Sequence, residues 1–382
     1  MNTNSIKKLS AIAALLTGIA FTACQDNLLD STPYGQTTSD KFWRNSDDVI
    51  AATNAIYSPL LDEDGFAHTE YTYDNSSDDM IRSGNHGDAE AQLEGFTFNA
   101  SNTHILNTWS TRYEVISRAN TLLINAPQVD MVDTLRNRCL GEAYFLRGFA
   151  YWRLAVIWGE VPIILEEDAL ANNFNKAKSS LTEVLAQAES DFLKAAELLP
   201  EDYSKTSQNT KNIGRASKGS AYGFLTKLYM YQEKFSNAIN AGNHIINNAK
   251  YKLADSFEQN FQLATENNPE ILYSLQYEQG WTTDDSPAYY HTPEILGGWG
   301  FHEPIQDLVD EFEPNDPRLD YSIFKPGDQI VKGSTVHIFS AADTRYTGYA
   351  FRKYTNFTDG GDMSQSLNAP WMRSADVYLL VA

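Results

Sequence analysis

Residues 132–158 read VDTLRNRCLGEAYFLRGFAYWRLAVIW, and this stretch decides the fold. Val132, Leu135, Cys139, Ala143, Leu146, Ala150, Leu154 and Ile157 recur every three or four residues, the period of one face of an α-helix. Gly159 supplies a C-terminal stop, and Pro162 prevents the helix from resuming. The spacing predicts one long helix over 132–158 with a single continuous apolar face. Arg147 falls on this largely apolar helix and is expected to pair with an acid or a carbonyl. Cys139 lies on the apolar stripe and reads as core rather than as a reactive thiol.

Further helices flank this one. Asp47 to Leu61 carries Val49, Ile50, Ala52, Ile56 and Leu60 near helical spacing, with Ser46 as its cap and Pro59 crowding its end. Trp109 to Leu123 and Ser179 to Leu199 follow the same period, the second closed by Pro200. Ala216 to Gln232 and Phe235 to Asn248 read as two helices around a tight turn. Ala221 and Gly223 are expected to let the second of these pack closely on the first. Helix, short turn, helix, at a spacing of roughly 34 residues, resembles tetratricopeptide repeats. Such repeats stack, each burying its apolar face against its neighbours. A non-repeating helical bundle is the alternative. Past Pro269 the periodicity fades into loops with brief strands, apart from a short helix expected over Phe301 to Phe312.

Charge excludes one large class of partners. The 382 residues hold 29 Lys plus Arg against 50 Asp plus Glu, a net of −21. Nucleic-acid binding depends on a basic face that neutralises phosphates, so no nucleic-acid partner is expected. Two cysteines cannot build a disulfide framework.

The first residues bear on the compartment. Lys7 and Lys8 precede Leu9 to Phe21, apolar or small throughout and shorter than the ~20 residues that span a bilayer. This is the layout of a secretory signal peptide, residues 1–23. Phe21-Thr22-Ala23-Cys24 ends it with small residues directly before a cysteine. It resembles a bacterial lipoprotein signal, in which cleavage frees the cysteine amine and the thiol carries diacylglycerol. Cys24 is then the lipidation site, and residues 24–40 are a polar tether. A plain signal peptide with a chance cysteine is the alternative. Acyl chains contribute about 0.8 kcal/mol per buried methylene, so a multiply acylated Cys24 would hold the chain on a membrane without a spanning helix.

Catalytic signatures are incomplete. His302-Glu303-Pro304-Ile305-Gln306 starts like the zinc motif His-Glu-x-x-His, but Gln306 stands where the second histidine belongs. Gly214 to Ser220 approaches a phosphate loop without the lysine that should follow its second glycine. No Gly-x-Ser-x-Gly elbow occurs. Neither a catalytic residue, a metal site nor a cofactor is assigned.

The stronger constellation is aromatic. Sugar rings present flat C–H faces on which Trp and Tyr stack, while amide and charged side chains take the hydroxyls. Such a site needs exposed aromatics on loops beside Asp, Asn or Arg. Leu61 to Phe98 reads as one long surface loop, and within it Asp74 to Asp88 offers Asp78, Asp79, Arg82 and Asn85. Gln276 to Gly300 offers Trp281, Tyr289, Tyr290 and Trp299. For each of these aromatics, packing beneath its own loop is the competing role. Trp43, Trp109, Trp152 and Trp158 sit in helical contexts and read as core.

Several motifs together resemble the SusD/RagB family of Bacteroidetes outer-membrane lipoproteins. They are Phe42-Trp43 followed by Asp47 to Tyr57, Trp109 to Asn120, Gly141 to Phe149 running on to Gly159-Glu160-Val161-Pro162, Lys218 to Tyr231, Gly297-Gly298-Trp299-Gly300, Asp316-Pro317-Arg318-Leu319, and Ala375 to Leu380. The resemblance implies a mostly α fold, a tetratricopeptide-like scaffold with an irregular, loop-rich second half. Residues 41–382 then form a single domain. Within it, 41–260 is the scaffold, 261–370 is the ligand-binding part and 371–382 starts a further helix. The resemblance also implies glycan capture for a TonB-dependent, SusC-like transporter as partner, with the protein lipid-anchored on the outer membrane and facing outward. Catalysis belongs to separate enzymes in that family. Carried onto this chain, the glycan-binding positions are Asp78, Asp79, Arg82 and Asn85 in the first-half loop and Trp281, Tyr289, Tyr290 and Trp299 in the second. A helical-repeat adaptor, or a peptide-capturing surface lipoprotein without glycan binding, is the alternative function; a carbohydrate-active enzyme is a third. The chain stops within the apolar run Val377 to Ala382, and the resemblance leads one to expect further sequence after it.

Overall fold

The computed structural model describes residues 42–62, 68–83, 87–203, 210–278, 287–356 and 366–382. A leading unit, Met1–Arg44, is distinct from the body, Asn45–Ala382. Within the leading unit, the rings of Phe42 and Trp43 meet edge to face at 5.1 Å. Cys24 lies outside the described residues.

The body is mostly helical. Its scaffold comprises α1 Ser46–Tyr57, α2 Thr103–Asn125, α3 Asp133–Trp158, α4 Leu181–Leu198, α5 Lys218–Tyr231 and α6 Phe235–Ile246. From α2 onward each packs on its successor, and α1 lies against α2 and α3. This is a tetratricopeptide-like stack. Local chemistry fixes the starts. Asn45, rather than the expected Ser46, caps α1 by accepting the Asp47 and Asp48 N–H groups at 2.9 and 3.2 Å. Asn102 accepts from His104 and Ile105 at 3.1 and 3.3 Å, so α2 opens six residues before Trp109. Ser180 and Glu183 form a reciprocal capping box at the start of α4.

Helix α3 is buried on more than the one face its apolar period predicts. Phe145, Phe149, Tyr151 and Trp152 are buried together with Cys139, Glu142 and Arg147. Its position between α2 and α4 explains this, and it demands partners for the charges. Arg147 donates to Asp191 at 2.9 and 2.8 Å, to Asn120 at 2.6 Å and to Glu166 at 2.8 Å. One guanidinium thereby ties α3 to α2, to α4 and to the short helix Glu166–Leu170. Glu142 in turn receives Arg215 at 2.9 Å and Arg138 at 3.3 Å.

Among the described residues the strands form four two-stranded antiparallel sheets. They are β1 Met80–Arg82 with β3 His302–Pro304, β2 Ile271–Leu275 with β8 Ala369–Arg373, β4 Ile323–Phe324 with β7 Ala350–Phe351, and β5 Gln329–Lys332 with β6 Thr335–Ile338. The β2–β8 ribbon fastens the second half to the scaffold. Tyr273 lies 4.8 Å from Phe145, and Trp371 lies 5.1 Å from Phe149, ring centre to ring centre. A Cβ on Gly223 would stand 2.8 Å from the Met372 side chain. The small residue on α5 therefore admits β8, not α6 as its neighbours in sequence suggest. Directly after β8, α7 Ser374–Val381 packs on α5 and α6, and Asp376 accepts the Arg373 N–H at 2.9 Å.

Two further expectations are corrected. The stretch 61–98 is not one loop: it contains β1 and the short helices His68–Thr72 and Asp88–Glu94. Phe301 to Phe312 is not one helix either, because His302–Pro304 extend as a strand before the short helix Gln306–Asp310. Proline is tolerated at the edge of a two-stranded ribbon, where its missing N–H costs no ladder bond.

Candidate functional site

The two loops singled out from sequence are one structure. β1 and β3 pair Met80 with Pro304, Ile81 with Glu303 and Arg82 with His302. Flanking bonds extend the ladder: the Ser83 N–H donates to the Phe301 carbonyl at 2.7 Å, and the Ile305 N–H donates to the Asp79 carbonyl at 3.1 Å. Met80 and His302 turn inward and are buried, whereas Asp78 and Asp79 stand exposed on the approach to the strand. Arg82 is half-buried and reaches Glu94 at 3.6 Å. Asn85 lies outside the described residues.

Glu303 locks a third segment to this ribbon. It is 4% exposed and accepts the Ser83 hydroxyl at 2.7 Å. It also accepts the N–H groups of Arg345, Tyr346 and Thr347 at 2.7, 3.0 and 2.9 Å, and the Thr347 hydroxyl at 3.2 Å. Burial alone would push its carboxyl up. The Ser83 hydroxyl and the three backbone donors outweigh that and hold it below the usual range. The glutamate of the failed zinc motif is thus a clamp on residues 345–347. Among the described residues, no group of three or more His, Cys, Asp or Glu is placed to hold a metal ion.

The second-half aromatics split by burial. Trp299 is the hub, with Tyr289 at 5.3 Å, Tyr290 at 5.2 Å and Phe301 at 5.1 Å, the two tyrosines edge-on to it. Main-chain bonds set the hub: the Trp299 N–H donates to Tyr289 O at 2.7 Å, and the Phe301 N–H donates to Tyr290 O at 2.8 Å. Gly297 takes a left-handed φ of 97°, and a Cβ on Gly298 would lie 2.1 Å from the Thr292 carbonyl oxygen. Only glycines let this turn close. Tyr289 and Trp299 are half-buried, but Tyr290 is fully buried and offers no ring face to a ligand. Within the short helix Pro287–His291, one of two adjacent tyrosines turns inward. Trp281 lies outside the described residues.

Sequence reasoning missed Tyr346. Its side chain is 66% exposed, and its own N–H is one of those that Glu303 clamps. The signal was present, since Thr344-Arg345-Tyr346-Thr347-Gly348-Tyr349 has the composition that singled out the other loops. Beside the clamp, Ser83, His291, His302, Glu303 and Arg345 line a polar cavity of about 140 Å³.

A second aromatic region lies on the scaffold. Trp152 is core as expected, but Trp109 and Trp158 are only half-buried and meet edge to face at 5.4 Å. Trp109 and Tyr113 line a groove of about 640 Å³ whose wall includes Leu170 and Phe174, 69% and 59% exposed. The Asn120 amide in this groove donates to the Ile164 carbonyl at 2.9 Å.

Scaffold and loops define a class: a helical-repeat body that carries a loop-borne aromatic surface. Comparison with known proteins gives the family. The family described as "Starch-binding associating with outer membrane" matches residues 27–230, and the SusD family matches residues 269–382. The chain belongs to the SusD family. A SusD-like protein of Bacteroides ovatus is 25% identical over 98% of this chain and 71% of its own length. A SusD-like carbohydrate binding protein from Bacteroides fragilis shares the fold at a TM-score of 0.76 and 22% identity, over 89% of this chain and 74% of that one. Surface glycan-binding protein A from Bacteroides thetaiotaomicron, solved in complex with laminarihexaose, aligns at 0.68 and 19% identity, over 88% and 77%.

Proposed function

We propose that this protein captures glycans at the cell surface and passes them to a TonB-dependent, SusC-like outer-membrane transporter, without catalysing a reaction itself. The observation that carries glycan binding is the half-buried Trp299–Tyr289 pair, mounted on a glycine turn and joined through β3 to the acidic loop at Asp78 and Asp79. Ring faces for stacking and carboxylates for hydroxyls thereby stand on one ribbon-linked body. Tyr346 extends the aromatic set. A structural neighbour solved in complex with laminarihexaose supports the ligand class. The outer-membrane description of the matching family and the lipoprotein-like Phe21 to Cys24 support anchoring at that membrane through Cys24. Partnership with the transporter rests on family membership.

Affinity electrophoresis of the full chain against laminarin, starch, mannan, xylan and pectic polymers tests the reading. At least one neutral glycan should retard the protein, with no release of reducing sugar. Tyr289→Ala should abolish the retardation while leaving the melting temperature within a few degrees. An unshifted protein across the panel overturns the reading.

Peptide capture is the second reading, and the apolar groove beside Trp109 favours it. Exposed Leu170 and Phe174 suit apolar side chains better than sugar hydroxyls. Binding of peptides lost in Phe174→Asp, with glycan retardation absent, would select it.

A further inference from the structure

Arginines in this acidic chain are almost all spoken for. Every other described arginine of the body lies within 4.0 Å of a carboxylate, but Arg352 meets none among the described residues. Its guanidinium rests over the Phe324 ring at 5.3 Å, while its backbone N–H donates to the Ser322 carbonyl and its carbonyl accepts the Thr355 N–H, each at 2.8 Å. Lys353, the next residue, also meets no carboxylate within ion-pair distance among the described residues. Its ammonium lies 4.5 Å from the centre of Phe261. Both cations are half-buried and line one groove of about 300 Å³. That volume sits at the lower end of the range for small-molecule sites.

The rest of the lining is suited to a sugar. Phe261 and Tyr321 supply ring surface, and Gln262, Gln329 and Asn356 supply amides. Glu258 is the acid on the wall, and it pairs with neither cation. Asp376 and Asp74 attract Lys353 from beyond ion-pair distance. A neutral sugar gives no reason to hold two partly desolvated cations without a directly paired carboxylate, since each such group costs free energy until it is paired. A planar or tetrahedral oxyanion recovers that cost, and a guanidinium can grip it at two points. Stacking of the guanidinium on Phe324 fixes its plane beforehand.

We propose that this groove is a second ligand site, separate from the Tyr289–Trp299 surface. It takes an acidic saccharide whose carboxylate or sulfate ester is held by Arg352, with Lys353 as the supporting charge. The saccharide part of this inference rests on the proposed glycan-binding function; the preference for an anion does not.

The test measures binding of the full chain to polygalacturonate, to a sulfated galactan and to neutral laminarin, near physiological salt where long-range repulsion from the chain is screened. Retention by one acidic polymer is expected, and which of the two retains it tells carboxylate from sulfate. Arg352→Gln should weaken that binding by about tenfold or more, the worth of one charged hydrogen-bonding contact. Arg352→Lys should keep part of it, and Tyr289→Ala should leave it unchanged. A melting temperature for each variant guards against misfolding, and Lys353→Gln provides an independent weakening if Arg352→Gln is unstable. Failure of every neutral glycan counts against the surface at Tyr289, not against this groove. Binding of neither acidic polymer, or equal binding by folded Arg352→Gln, overturns the proposal.

Discussion

Ser83 donates its hydroxyl to Glu303 at 2.7 Å across 220 residues of chain. This bond joins the only strand that the first half contributes, among the described residues, to the loop that carries Tyr346. Removing the carboxylate takes the acceptor from two hydroxyls and three backbone N–H groups. Glu303→Ala should therefore lower stability by about 3 kcal/mol, the scale for leaving buried donors unsatisfied. The loss should be local first: in hydrogen exchange, 345–347 should open before α3 does. Because the folded carboxyl titrates below its usual range, its contribution is present above about pH 4.3 and disappears as pH falls through the folded value. A urea series at pH 7 and at pH 4 checks the sign.

Gly298→Ala pushes a methyl to within 2.1 Å of the Thr292 carbonyl oxygen, so the turn has to open. Trp299 then loses its main-chain bond to Tyr289 or its ring neighbours. Quenched tryptophan fluorescence should shift to the red, and glycan retardation should fall at least as far as in Tyr289→Ala. Unchanged fluorescence and binding would show that the turn does not position Trp299.

Arg147 and Asp191 are both nearly solvent-free and share two hydrogen bonds between α3 and α4. Arg147→Met leaves a buried carboxylate without its partner and should cost about 3–5 kcal/mol. Adding Asp191→Leu should restore most of that loss, because an apolar pair of similar volume carries no desolvation penalty. Chemical denaturation of the two variants decides; a double variant as weak as the single would mean that Asn120 and Glu166 depend on Arg147 as well.

Glu266 titrates upward instead. Burial pushes its carboxyl to about 7, against a single backbone bond from Asn368 at 2.6 Å. A raised folded value means that the protonated acid is the better fit. Stability from this group is complete below about pH 4.3 and is lost as pH rises towards 7. Glu266→Gln keeps an acceptor for Asn368 and has no charge to bury. Its melting temperature should equal or exceed that of the natural sequence at pH 8, and the advantage should vanish at pH 4. The reverse ordering would place Glu266 in water.

Periodicity exposed the scaffold because α3 to α6 keep apolar residues three or four apart through several turns, a signal that survives without tertiary context. It failed at α2, where Thr103 to Thr108 carries little apolar pattern and the Asn102 cap sets the start. It failed again at 301–312, where three residues of β3 owe their extension to a partner more than two hundred residues away. In the candidate site, residue type located the loops but not the direction of each ring. Tyr289 and Tyr290 are identical in sequence, and only packing under Trp299 decides which is buried. Glu303 was visible as an incomplete metal motif; its donors come from Arg345 to Thr347, whose geometry no local pattern encodes.

The three-residue β1–β3 ribbon also orders events in time. Pairing Ile81 with Glu303 closes a loop of over two hundred residues, while the helices of the scaffold form from neighbours in sequence. The entropy of such a closure grows only logarithmically with length, but it is lost before the ribbon's few bonds repay it. The surface proposed for glycan capture is therefore expected to assemble last, on a scaffold already folded. The same surface should be the first to come apart on heating or in urea, so that the proposed saccharide capture vanishes while the helical signal is still intact.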